Sequence, residues 1–338
     1  MTEKRTASKS TWISKLLRNN TFLIGMVLVL LIVTAIVATP FFLNPFNLQS
    51  LMRDLAIIAL IALGQTMLLL IGELDLSIGA SATLSGIFAG LLITQTGLPP
   101  MVSFFIGISA GLVLGCLNGI IVTKFRISSM VTTVGMSGVY TGIALVITRG
   151  RAIIGIPEYI TVIGRGTVMG VPIQFIIALC MMVLVTIFVN KTRTGRYIYA
   201  IGNSKPAAQI LGIKVDTYRI LMFSLTGLFA AMAGMITLAR IGSAQAVLGA
   251  GWPMNSIAAS VIGGIWLTGG VGNPIGAVIG ATILTVISNI IVLLGVDIYF
   301  QSAVNGIVVV IAIALPSVIN MVRERNHIKA IAKQKSQV

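Results

Sequence analysis

Glu73 and Asp75 are the only acids in the interior of the apolar runs, two residues apart in Gly72-Glu73-Leu74-Asp75-Leu76-Ser77-Ile78-Gly79. Carboxylates in such a setting carry protons, face a polar solute, or cap a helix through its free backbone N–H groups. An ionised carboxylate at the centre of a bilayer costs roughly 3 kcal/mol on insertion scales, so both groups must face water, protein or an interface. One reading places Asp75 and Ser77 beside a translocation path at a helix break. The other makes Asp75 the N-cap of the third span at its cytoplasmic end. Catalytic signatures are missing: the sequence contains no G-x-x-x-x-G-K-[ST], no G-x-S-x-G and no H-E-x-x-H, so hydrolysis of ATP by this chain is not expected. Cys116 and Cys180 lie far apart in apolar runs and His327 stands alone in a basic tail, which indicates neither a disulfide framework nor a metal site.

The elements that hold these residues are set by composition. Of 338 residues 57% are hydrophobic and 9% charged, and the mean hydropathy is +1.03, whereas soluble domains carry about a quarter charged residues. The formal charge of +15 gathers in the tails and between apolar runs. That is the pattern that orients membrane proteins and not one that binds nucleic acid. The basic segment Met1 to Asn20 precedes an apolar run too long for a signal peptide and without a small-x-small cleavage site, so it is read as an uncleaved first span with its N-terminus inside.

Apolar runs follow at Phe22 to Ala38, Leu55 to Ile71, Leu76 to Thr94, Met101 to Val122, Met130 to Ile147, Ile173 to Val189, Ile220 to Ala239, Ser256 to Thr268, Ile275 to Leu294 and Ala303 to Ile319. Each span needs roughly 20 residues. The expected fold is therefore all-α and polytopic, with about ten transmembrane helices. It occupies residues 21–320 in membrane lipid, between cytoplasmic basic tails at 1–20 and 321–338. Counting from inside puts Lys124, Arg126 and the Lys191 to Arg219 loop in the cytoplasm. Arg53, Arg240, Arg149, Arg151, Arg165 and Glu158 fall outside. The short run Ser256 to Thr268 reads as a broken or re-entrant helix.

Gly111, Gly115 and Gly119 recur every four residues, as do Gly272, Gly276 and Gly280, and each triple predicts a flat ridge on which helix backbones approach closely. Ile71 to Gly79 also reads against Ile262 to Gly270 as a weak internal repeat that interrupts apolar runs in both places. Transporters often set such breaks around the pathway.

Lys191 to Arg219 is the polar island of the chain, with Lys191, Arg193, Arg196, Lys205, Lys214 and Arg219. Asn203 or Ser204 can cap a short helix at Ala207 to Leu211, Pro206 suits its first turn and Gly212 the position beyond its end. Ala207, Ile210 and Leu211 then share one face, a shape either for docking in another protein's groove or for covering the protein's own surface.

The run Thr192 to Ile213, T-x-x-G-R-Y-I-Y-A-I-G-N-x-x-x-A-A-x-x-x-G-I, resembles the cytoplasmic coupling loop of permease subunits of bacterial ABC importers. In particular it resembles those of the ribose-type sugar permeases, grouped with the branched-chain amino-acid permeases. Gly72 to Gly79, Ala239 to Gln245 and the Gly-rich Gly263 to Gly272 are similar too, and the resemblance covers nearly the whole chain after the N-terminal tail. It implies an inner-membrane permease of a sugar-type importer that works by alternating access. Its partners are then a second permease copy, in a homodimer or heterodimer, two ABC ATPase subunits that hold ATP and Mg, and a periplasmic or lipid-anchored solute-binding protein. The chain itself is expected to bind no cofactor.

Carried onto this sequence, the resemblance assigns coupling to Gly195, Arg196, Gly202, Asn203, Ala207, Ala208 and Gly212. Gln65, Asp75, Ser77, Asn255 and Trp266 are candidates for the path, and Arg149, Arg151 and Glu158 for docking of the binding protein. Three departures stand out. Glu73 occupies a position where the family commonly has a second glycine, Gly251-Trp252-Pro253-Met254-Asn255 lacks the usual acids, and Trp266 replaces a small polar residue. The last two weigh against plain ribose. Alternative solutes are an amino acid, a nucleoside or a furanosyl signal, and an alternative class is an ion-coupled secondary transporter, for which Glu73 and Asp75 would be the proton carriers.

Overall fold

Pro45, Pro100 and Pro274 each stand in the first positions of a long helix, where the missing N–H of proline costs nothing and its fixed φ starts the turn. The computed structural model describes residues 20–297 and, beyond them, 300, 303, 306, 307, 310, 311 and 314. The tails at 1–19 and 321–338, His327 and most of the run Ala303 to Ile319 lie outside the described residues.

In chain order the helices are α1 (Asn20–Ala38), α2 (Pro45–Leu70), α3 (Ile78–Gln95), α4 (Pro100–Lys124), α5 (Ser129–Thr148), α6 (Glu158–Arg165), α7 (Ile173–Lys191), α8 (Arg193–Asn203), α9 (Lys205–Ile210), α10 (Val215–Ile241), α11 (Trp252–Ile262) and α12 (Pro274–Leu293). A two-residue antiparallel hairpin, β1 (Thr167–Val168) and β2 (Val171–Pro172), joins α6 to α7. Helices α2, α3, α4, α5, α7, α10 and α12 are long and apolar enough to cross a membrane, and α1 carries the shorter apolar stretch Phe22–Ala38. The short run near residue 260 does not make a span. With 11 residues α11 reaches about 16 Å, half of a hydrocarbon core of about 30 Å.

Helix α10 is the centre of the bundle, packed on α2, α3, α4 and α6. Its contact with α4 is the glycine ridge. A side chain at Gly111, Gly115 or Gly119 would collide with Ala231, with the Phe223 carbonyl or with the Ile220 backbone, so the two backbones touch, as van der Waals association in lipid requires. The second ridge is shorter than the spacing implies. Gly276 and Gly280 do pack directly on Gly263 and Ala259 of the α11 end, but Gly272 precedes α12 and folds against Ile265 in a loop. Helix α2 is buried on all sides over most of its length, whereas α5 and α7 leave most of their apolar surface outward.

One end of the bundle carries α8, α9 and the breaks at 71–77 and 263–273. The opposite end carries α6, the hairpin and the start of the loop 242–251, bridged through Ala244 to Ile153, and the loop then returns along α3 until Gly249 packs on Gly79 beside the first break. The outer arginines find partners there: Arg240 pairs with Asp54 at 2.6 Å, Arg165 donates to the carbonyls of Arg240 and Ile241, and Arg53 donates to the Arg165 carbonyl.

Candidate functional site

Both helix breaks end in the same backbone motif. After α2 the N–H of Gly72 bonds the Leu69 carbonyl and that of Glu73 the Leu68 carbonyl, and after α11 Gly264 bonds Val261 and Ile265 bonds Ser260. Gly72 and Gly264 sit at φ +72° and +82°, the left-handed position that closes a Schellman turn and that glycine takes without steric cost. The repeat is thus physical, one residue out of the register seen in sequence: Gly72 matches Gly264, not Gly263. The breaks also meet in space. Gly270 donates to the Leu70 carbonyl at 2.9 Å, and Gly269 packs against the backbone of Gly72.

Helix α8 seals this junction. Gly202 lies against the Leu70 carbonyl and the Gly270 backbone with no room for a side chain. Tyr199 donates its hydroxyl to the Gly272 carbonyl at 2.8 Å, and burial raises the pKa of its phenol. Asn203, anchored to the Tyr199 carbonyl, abuts Gly270. Gly195 is buried against Val189 where α7 turns into α8.

The first break is held on every side by polar groups. Asp75 is buried and accepts from the Ser77 N–H at 2.7 Å, from the Ser77 hydroxyl at 2.6 Å and from the Asn118 amide at 3.4 Å. Burial raises its carboxyl above the ordinary aspartate value against the lowering effect of these donors. Asn118 also donates to Ser77 at 2.8 Å and accepts from the Tyr140 hydroxyl at 2.9 Å. With its amide turned to satisfy both groups, Gln65 donates to the Asp75 carbonyl and accepts from the Asp75 N–H. Leu76 donates to Thr133. Asp75 is therefore not the N-cap expected of it: Ser77 holds that position, and Asp75 accepts from the Ser77 N–H and hydroxyl one step before the helix.

Glu73 sits two residues earlier and points to α9 and α10. One of its carboxylate oxygens bonds both Lys205 Nζ and Arg219 Nη2, each at 2.7 Å. Burial raises its carboxyl, but hydrogen bonds from Lys205 and Ser129 and the nearby Arg219 and Lys205 charges outweigh that, so its pKa lies below the usual value. The Ser129 hydroxyl in turn accepts from the Leu74 N–H. Neither Lys205 nor Arg219 was distinguishable in sequence from any other cation of the polar island. The signal for them was the extra acid at Glu73.

Helix α9 starts two residues earlier than the spacing predicts. Ser204, not Asn203, caps it by accepting from the Ala207 N–H, and Gly212 follows at φ +77°. Ala208 is buried, while Ile210 is 87% and Leu211 76% exposed. Arg196, Asn203, Ala207 and Gly212 are exposed as well. The coupling candidates thus divide: Gly195, Gly202 and Ala208 hold the segment to the bundle, and the others present its outer face.

Of the path candidates, Gln65, Asp75 and Ser77 form one cluster. Asn255 instead lines a cavity of about 770 Å³ toward the opposite end, with Asn47, Asp54, Trp252 and Asn289 among its described walls. Trp266 is half exposed on the 263–273 break. Arg149, Arg151 and Glu158 are all exposed at the end away from α9.

The sequence profile of the family described as branched-chain amino acid transport system, permease component, matches residues 47–313. The ribose import permease protein RbsC of Bacillus subtilis (strain 168) is 38% identical over 291 residues, 85% of this chain and 90% of its own length. Its Escherichia coli (strain K12) counterpart is 34% identical over 290 residues, 84% and 90% of the two chains. The autoinducer 2 import system permease protein LsrC of Yersinia enterocolitica is 34% identical over 287 residues, 84% and 79% of the two chains. The chain matches no solved structure.

Proposed function

Because the chain belongs to the branched-chain-amino-acid-type permease component family, we propose that it is the membrane-spanning subunit of an ATP-driven importer for a sugar or sugar-like solute. It sits in the bacterial inner membrane with α8, α9 and both termini in the cytoplasm. The observation that carries this reading is α9: a capped helix at the basic end of the bundle with Ile210 and Leu211 turned outward. Exposed apolar side chains rimmed by charge are what a partner groove covers. Two ATPase subunits holding ATP and Mg dock there. A second permease copy, identical or similar, completes the pathway, and a solute-binding protein delivers to the end that carries Arg149, Arg151 and Glu158.

The relatives' names give ribose for RbsC, at 38% identity, and autoinducer 2 for LsrC, at 34% identity. The second favours a furanosyl signal as the runner-up. Proton-coupled transport is disfavoured because Glu73 and Asp75 are both bound to fixed protein partners.

Uptake by vesicles containing this chain with its ATPase and binding protein should follow ATP and stop when the ATPase is omitted. Uptake driven by a proton gradient with this chain alone would overturn the assignment. Replacing Ile210 and Leu211 together by serine should reduce ATPase co-purification about tenfold or more, as loss of interface anchors does. The melting temperature of the isolated permease should barely move, since neither side chain is buried.

A further inference from the structure

Helix α9 has six residues and a single buried side chain, Ala208. Packing of one methyl group cannot carry a lateral force from a docked partner into the bundle. A directional link is present instead, because Lys205 of α9 and Arg219 in the first turns of α10 both bond the same oxygen of Glu73 in the α2–α3 break, and Ser129 and Thr133 of α5 accept from the Leu74 and Leu76 N–H groups of that break. Three elements, α5, α9 and α10, are therefore bonded to the one break. The Arg219 Nε has no partner, and without Glu73 two cations would face each other and drive α9 from α10.

We propose that Glu73 is a positioning residue for energy coupling: its two ion pairs make α9 and the start of α10 move with the α2–α3 break as one body. The proposal rests on the reading of α9 as the docking helix. Tyr199 and Gly202 tie α8 to the second break, so the two breaks, themselves in contact, receive a push at α8 and α9 together. The family resemblance places a glycine where Glu73 stands, so the tether belongs to this chain's particular combination of Glu73, Lys205 and Arg219.

The test uses the assembled complex with its ATPase, in a background lacking Cys116 and Cys180. Spin labels are placed at Gln209→Cys, off the apolar stripe of α9, and at Val131→Cys, exposed on α5 next to Ser129. In the otherwise native chain the distance distribution is narrow and the same before and after trapping with ATP, Mg and vanadate. In Glu73→Gln it widens and shifts on trapping by about 2–5 Å, the scale on which packed elements slide. The double variant Glu73→Gln with Arg219→Gln removes the unpaired cation and regains the melting temperature, and it still shows the shift. A double variant with the native, invariant distribution overturns the tether. Failure of the ATPase to co-purify with the native chain overturns the docking reading instead.

Discussion

Asp75 is a buried acid with three donors and, among the described residues, no cation within bonding distance, which separates two roles that sequence could not. Removing the side chain strands the Ser77 N–H, the Ser77 hydroxyl and the Asn118 amide, and orphaned buried donors cost about 1–3 kcal/mol. Asp75→Ala should lower the melting temperature accordingly, and Asp75→Asn, which retains an acceptor for Ser77, should lower it by less than half as much. The pH dependence has a definite sign. A carboxyl whose folded pKa is raised contributes stability that is present below its unfolded value of 3.8 and is lost as pH rises through the folded value. Thermal unfolding at a series of pH values should therefore show the native chain gaining on Asp75→Asn as pH is lowered toward 3.8. Glu73 has the opposite sign: its depressed pKa keeps its ion pairs intact at neutral pH, and they loosen only on acidification below the usual value of 4.5.

Among the elements, the α4–α10 contact tests whether glycine spacing reports backbone approach. Gly115 faces the Phe223 backbone without space for a methyl group. A leucine there must separate two helices, and overpacking a filled core costs about 1–3 kcal/mol or more. Gly115→Leu should yield little monodisperse protein in size-exclusion chromatography. The contrasting position is Gly135 on α5, where an added Cβ meets nothing within 4 Å. Gly135→Ala should leave the elution unchanged and raise the melting temperature slightly, since alanine is the better helix former by about 1 kcal/mol. Equal damage at both positions would show that glycine content, and not contact, matters.

For the whole molecule the decisive property is which end faces which side. The hairpin tip at Met169 and the α9 face at Ile210 are 99% and 87% exposed at opposite ends of the bundle. With Cys116 and Cys180 replaced, a membrane-impermeant maleimide on intact cells should label Met169→Cys and should reach Ile210→Cys only after permeabilisation. Labelling of both from outside would contradict the orientation.

Sequence alone determined the class, seven of the apolar runs as spans, the ridge at Gly111 to Gly119 and the capped helix in the polar island, because each follows from composition or from spacing along one continuous segment. Only tertiary structure decided that the two glycine breaks touch, that Glu73 joins Lys205 to Arg219 across 132 residues to the first of them, and that Gly272 leaves its apparent ridge. Pairing of this kind depends on how distant segments stack. In a chain with 57% apolar residues the periodicity of a single helix says little about which neighbour it meets, since lipid and protein accept the same side chains. The break register slipped by one for the same reason: the turn is set by which carbonyls the glycine's neighbours can reach, not by the letters that flank it.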